Sequence, residues 1–371
     1  MLTKTQEMLF PPLAPQLPPE IIATIVDLAI ESTACCMSAI YSERSRSRQS
    51  LLTTLCLVDD TFRAVSKRLL FDLVVLRSEV EAAAFLDAVN REIEAPRTRF
   101  LVLSGPHWSP ISGSIARRVL QAVHGLESLT LGNVVGLETE CMFSTHLGSL
   151  KMLHIEEKTS IRPESLDNVQ GRQVSFTLDH LVLFTTFEAA STRLFAHLMS
   201  RVRQKLFIQS RTFGSNPLSL PKLPVSPIDL RPFRHLFVDC KLETVEEACL
   251  LLDDEAQYKL LSPALETIAS STQLQQLVTS LPTPSLFRAL DGDRVHVSPP
   301  GRRQDQSRRT LVVRATSPED YSFLTDSLYD QSSFMRTITH LDVVRPKPVD
   351  EIELLETVSA AQAMNIKVFV Y

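Results

Sequence analysis

Apolar positions follow two rhythms along this chain, one helical and one strand-like, and the change between them falls near Leu76. In the first stretch Ile21, Ile25 and Leu28 recur four and three residues apart, with Ile22, Val26 and Ala29 beside them. That spacing predicts a helix with an unusually wide apolar surface. Pro18 and Pro19 stand just before it, and prolines fit only the first turn of a helix, where their missing N–H is not needed. An apolar run over 51–58 follows. Asp59 and Asp60 are then N-cap candidates for a helix over 61–71, whose Phe62, Val65 and Leu69 share one face. Ser78, Glu79, Val80 and Glu81 read as a capping box that opens an alanine-rich helix to about Ile93.

Beyond this point a short triplet recurs, two aliphatic residues flanking one intermediate position. Copies begin at Leu101, Leu129, Leu153, Leu181, Leu206 and Leu236, and later at Val295, Leu311, Leu341 and Ile366. Successive starts through Leu236 differ by 28, 24, 28, 25 and 30 residues, near the period of leucine-rich repeats. Leu126, Leu150, Leu178, Phe233 and Ile338 each lie three residues before a triplet, which completes an L-x-x-L-x-L core. Helical stretches alternate with the triplets, over 115–123, 189–199 and 350–363. Thr244 to Glu247 reads as a capping box that begins another helix, and Ser317-Pro318-Glu319-Asp320 places Ser at an N-cap, Pro at N1 and acids in the first turn. The fold class expected is therefore α/β: a small all-α N-terminal module, then an irregular leucine-rich-repeat solenoid with a parallel sheet on one side and helices on the other. There is room for about eleven units. The alternative is an irregular α/β domain in which the triplets are simply buried strands.

Composition narrows the functional classes. The chain has 371 residues, 44% of them hydrophobic and 22% charged, which is ordinary for a folded protein. A net charge of −5 opposes non-specific attraction to nucleic acid, and no apolar run reaches the roughly 18 residues of a membrane span. Neither partner is expected. Six cysteines form no C-x-x-C pair, and no signal-peptide pattern opens the chain, so a reducing cytoplasm or nucleus is the expected compartment. The ten glycines make no phosphate-binding loop, and neither a G-x-S-x-G elbow nor an H-E-x-x-H pair occurs. His180, His235 and His340 each precede a triplet, yet 55 and 105 residues apart they fall in different units, too distant to share a metal. No enzyme and no cofactor are expected. Arg/Ser-rich residues 42–48 and Arg-rich residues 301–309 read as solvated basic loops, and Trp108 as a loop residue packed at the sheet edge.

Three features of the helical stretch resemble the F-box, the module by which substrate receptors dock onto the Skp adaptor of a cullin-RING ubiquitin ligase. They are the Leu-Pro-x-Glu-Ile-x-x-x-Ile opening at Leu17 to Ile25, the Leu-x-Leu-Val run at Leu55 to Val58, and Phe62 with a distal Leu-Leu-Phe at Leu69 to Phe71. Divergent fungal F-box-like proteins are similar. Pro11, Pro12 and Pro15 leave residues 1–16 as a flexible arm, the resemblance implies 17–76 as an F-box-like domain with an insertion at 31–50, and the triplet period makes 77–371 the repeat domain. It implies adaptor contacts by Leu17, Pro18, Glu20, Ile21, Ile25, Leu55, Leu57, Val58 and Phe62, with a cullin scaffold beyond the adaptor. The intermediate triplet residues His154, Phe207, Phe237 and Asp342 are candidate contacts to a client protein, because they should point away from the core. The expected function is that of a ligase substrate receptor. The alternative is a ligase-independent scaffold whose N-terminal helices cap the solenoid.

Overall fold

The computed structural model describes residues 18–31, 43–58, 60–91, 97–143, 147–156, 158–162, 175–185, 189–210, 236–238, 240, 242–252, 255–280, 283–291, 309–315, 317–330, 334–344 and 351–371. The chain divides into two compact units, Met1–Val74 with Pro96–Thr98, and Val75–Ala95 with Arg99–Tyr371.

The first unit contains helices α1 (Pro19–Glu31), α2 (Glu43–Leu55) and α3 (Asp60–Asp72). The Pro18 carbonyl accepts from the amides of Ile21 and Ile22 at 2.9 and 3.1 Å, so α1 starts where the prolines withhold donors. Ile22, Val26 and Leu52 form a buried cluster, with Leu55, Phe62, Val65, Leu69 and Leu70 packed against it. Part of the expected insertion at 31–50 is helix, because α2 begins at Glu43. Its Arg/Ser alternation has no apolar period to reveal a helix. It extends a helix anchored by Leu52, and arginine is a good helix former.

The second unit is mixed α/β. Its strands are β1 (Leu73–Leu76), which straddles the boundary between units, β2 (Phe100–Ser104), β3 (Ile111–Ser112), β4 (Ser128–Gly132), β5 (Val134–Val135), β6 (Met152–Ile155), β7 (Leu178–Thr185), β8 (Val202–Ser210), β9 (Glu247–Leu251), β10 (Gln276–Thr279), β11 (Thr310–Arg314), β12 (His340–Val344) and β13 (Lys367–Val370). Eleven of them make one sheet in the order β1-β2-β4-β6-β7-β8-β9-β10-β11-β12-β13, which is chain order, while β3 and β5 pair separately. All the described ladders from β2 onward are parallel. Helices α4 (Glu79–Asn90), α5 (Gly113–Ala122), α6 (Ala189–Met199), α7 (Glu255–Ser270), α8 (Pro284–Asp291), α9 (Pro318–Tyr329) and α10 (Glu351–Ala363) flank the sheet, and α4 packs on α5, α7 on α8, and α9 on α10.

Register carries the triplet pattern into three dimensions. Leu101, Leu129, Leu153, Leu181, Leu206, Ala248, Leu277, Leu311, Leu341 and Val368 are lateral neighbours in one row. All but Val368 are buried. A period of two then turns the middle residue of each triplet to the other face.

Three expectations are corrected here. Thr244 to Glu247 does not open a helix: Glu247 starts β9, and its carboxylate accepts from Lys205 Nζ on β8 at 2.8 Å, so the acid serves a cross-strand ion pair. Leu236, Phe237 and Val238 form a helical turn rather than a strand, and Phe237 is fully buried (0% exposed), so its place in the middle row belongs to Cys249. The last triplet shifts by two, because Val368, not Ile366, pairs with Leu341, which makes Phe369 its middle residue. The copy at Val295 lies outside the described residues.

Candidate functional site

Two surfaces hold the sequence-derived site residues. On α1, Ile22 and Val26 point into the core while Ile21 and Ile25, offset by one residue and thus about 100° around the axis, remain exposed. The helix is apolar on two adjacent stripes, and its own unit covers one. After α2 the chain turns tightly, with the amides of Cys56, Leu57 and Val58 donating to the carbonyls of Leu52, Thr54 and Leu55 at 3.0, 3.0 and 3.2 Å. Arg63 on α3 fixes this turn, donating from Nε to the Cys56 carbonyl at 3.1 Å and from a terminal nitrogen to Asp60 at 2.5 Å. The outcome is a held turn that displays Leu57, 79% exposed, and Val58. Pro18 and Glu20 are also exposed. Leu55 and Phe62 are half-buried against the Ile22–Val26–Leu52 cluster and serve internal packing. Leu17 lies outside the described residues.

The second surface is the outer face of the sheet. Its central row runs Val102, Thr130, His154, Val182, Phe207, Cys249, Val278, Val312, Asp342 and Phe369 across β2 to β13. Accessibility changes along it: Val102 is only 2% exposed and Thr130 is buried, whereas His154 and every later member are at least partly open. His154, Phe184 and Phe207 make a ring cluster, with centroids 5.4 and 5.5 Å apart. The Nε2 of His154 has no hydrogen-bond partner among the described residues, and burial pulls its pKa below the ordinary histidine value. Burial likewise pushes the Cys249 thiol up to about 11, so it is protonated at neutral pH and a poor nucleophile. Phe184, Leu251, Val278 and Val312 are the members that sequence reasoning did not single out. The signal for Phe184 and Val312 was available, since Val312 is the middle of the Leu311 triplet and Phe184, two beyond the middle of the Leu181 triplet, shares its face.

The remaining candidates separate. His180 and His340 occupy one row but are five strand steps apart, roughly 24 Å at the usual strand spacing, and His235 is outside the described residues. Among the described residues no group of His, Cys, Asp and Glu is placed to hold a metal, and no helix is long and apolar enough to cross a membrane. Trp108 is 86% exposed rather than packed at the sheet edge. Its loop is hydrogen-bonded, with the Asn133 side-chain amide donating to the carbonyls of Gly105 and Pro106, and Ser109 N–H donating to the carbonyl of Pro106. Both surfaces offer apolar area for contact. The sequence matches no protein-family model and is not significantly similar to any curated protein.

Proposed function

We propose that this chain is a substrate receptor of a Skp-cullin-F-box ubiquitin ligase, its N-terminal helices binding the adaptor and its repeat domain, read as a leucine-rich-repeat array, binding a client on the outer face of the sheet. The observation that carries the reading is the division of labour on the first unit: Ile22, Val26 and Leu52 make the core, while Ile21, Ile25, Leu57 and Val58 stay exposed. The exposed parts of those four side chains amount to roughly 400 Å² of apolar area, or about 10 kcal/mol gross on full burial, before the costs of association. Ile21 and Ile25 on α1 and Leu57 and Val58 on the turn after α2 together expose apolar area that a partner groove would cover. The outer face from β6 to β13 supports the client role by its apolar centre at Val182, Phe184, Phe207, Leu251, Val278 and Val312 and its polar edge at His180, Lys205, Glu247 and His340.

Co-purification with a Skp adaptor tests the reading. The wild-type chain should form a stoichiometric complex, and Ile21→Glu or Leu57→Asp should lose it while retaining the circular dichroism of the wild type. A folded wild-type chain that fails to bind leaves the helices as a structural part of a ligase-independent scaffold.

A further inference from the structure

The last strand of the sheet is an edge, and its surroundings are unusually apolar. β13 follows β12 at the end of the strand order and has no further strand beside it among the described residues. The amides of Lys367 and Tyr371 donate to the carbonyls of Thr339 and Val343, each at 3.0 Å, so by the period of two the N–H and C=O groups of Val368 and Val370 point away from the sheet. On the outer face Phe369 is 45% exposed and Tyr371 is 66% exposed. On the helical layer α10 packs against α9 and β13, and its opposite face leaves Ile352 (71%) and Leu355 open. Natural edge strands are blunted by charge, proline, bulges or cover. Here Lys367 is the only charge within the strand.

We infer that this edge is an interface between two copies of the chain, joined by antiparallel pairing of β13 with the partner's β13 across a two-fold axis at Phe369. The register follows from the free backbone groups. Centring the axis on Phe369 sets Val368 opposite Val370 of the other copy, and each such pair exchanges both N–H···O bonds, so all four outward-facing groups on each strand find partners. Phe369 then faces its own symmetry mate as a non-hydrogen-bonded pair, the closer kind, with side chains on one face in contact. Lys367 lies opposite Tyr371 of the other copy rather than opposite a second lysine, which removes the charge that would otherwise guard the edge.

A second copy fits better than an added peptide strand. A lone strand would satisfy the backbone but leave Ile352 and Leu355 in water, whereas a symmetry mate brings a strand edge and a helical layer together. The exposed parts of Ile352, Leu355, Phe369 and Tyr371 amount to roughly 500 Å² per copy. This is a large part of the ~800 Å² each partner buries in a standard interface, before backbone and flanking atoms are counted. This inference does not depend on the ligase reading.

The test is sedimentation or light scattering of the full chain over a concentration series, with two variants. The wild type should run at twice its 41.6 kDa monomer mass. Phe369→Lys, which sets like charges across the axis, should weaken dimerisation at least about tenfold. Phe369→Cys should form an oxidised dimer under conditions where the wild type, with its native cysteines, does not, because a non-hydrogen-bonded antiparallel pair holds its Cα atoms at a distance a disulfide spans. A monomeric wild type, a dimer untouched by Phe369→Lys in a folded protein, or no added cross-link from Phe369→Cys overturns the inference. If Phe369→Lys fails to fold, the cross-link decides.

Discussion

Gly113, the first residue of α5, sits where the backbone of Gly136 passes so close that a Cβ would collide with its carbonyl. The obstacle is main chain, not a side chain that can swing aside, so Gly113→Ala should destabilise the second unit by about 1–3 kcal/mol, measured as a shift in its urea midpoint. Gly132 makes a useful contrast, because a Cβ there meets the carboxylate of Glu156 and the hydroxyl of Ser104, both able to move. Gly132→Ala should cost less. His154 sets a pH dependence. Burial lowers its folded pKa below the ordinary 6.5, so the unfolded chain takes up the proton first as the pH falls. The stability from neutral His154 is complete above about pH 6.5 and is lost progressively in the window just below it. Its lateral neighbours Thr130 on β4 and Val182 on β7, and the Phe184 ring beside it, are uncharged. His154→Leu should therefore flatten the acid side of a stability profile taken by denaturant unfolding. Part of the slope should survive, because His197 is shifted the same way, by burial and then by Arg201. None of these residue roles was legible in the sequence: a close backbone approach and an orphaned ring nitrogen exist only once distant strands are neighbours.

Helix caps were legible because they are local. At Ser317 the hydroxyl accepts from Asp320 N–H at 3.3 Å and the Asp320 carboxylate accepts from Ser317 N–H at 2.9 Å, with Pro318 opening α9. Ser317→Ala should cost about 1 kcal/mol, visible as faster amide exchange in the first turns of α9. The Ser78 cap is half of the motif read from sequence. Its hydroxyl accepts from Glu81 N–H at 3.1 Å, but the Glu81 carboxylate reaches back to the Arg77 amide at 2.6 Å. Strands were legible where their inward residues are leucine and isoleucine, as in β2, β4, β6 and β7. β9 hid behind Ala248 and Cys249, and its first residue Glu247, with Glu246 just before it, imitated a helix start. β10 hid because Thr279 fills the second inward position. In both, burial is decided by the strands on either side, which supply the apolar wall that a small or polar residue does not. The helical start of α2 was missed for the opposite reason: Arg44, Ser45, Arg46 and Ser47 show no apolar stripe at all.

At the scale of the whole molecule the periodic triplets translate into a parallel sheet whose strand order is chain order, and the helical segment into a separate compact unit. The exposed residues of that unit were legible too, since α1 carries more apolar positions than one core stripe can use. That Leu55 and Phe62 turn inward was not, because their roles depend on how α2 and α3 pack against Ile22 and Val26. The receptor proposal stands on the four side chains left outside, and dimerisation through β13 is a separate property with its own test. The most direct measurement is calorimetric titration of the purified chain with a Skp adaptor, wild type against Leu57→Asp. The account predicts one adaptor per chain, a negative heat-capacity change from apolar burial, and at least about a hundredfold weaker binding for the variant. No heat of binding to a folded wild-type chain, or equal affinity for Leu57→Asp, would contradict it.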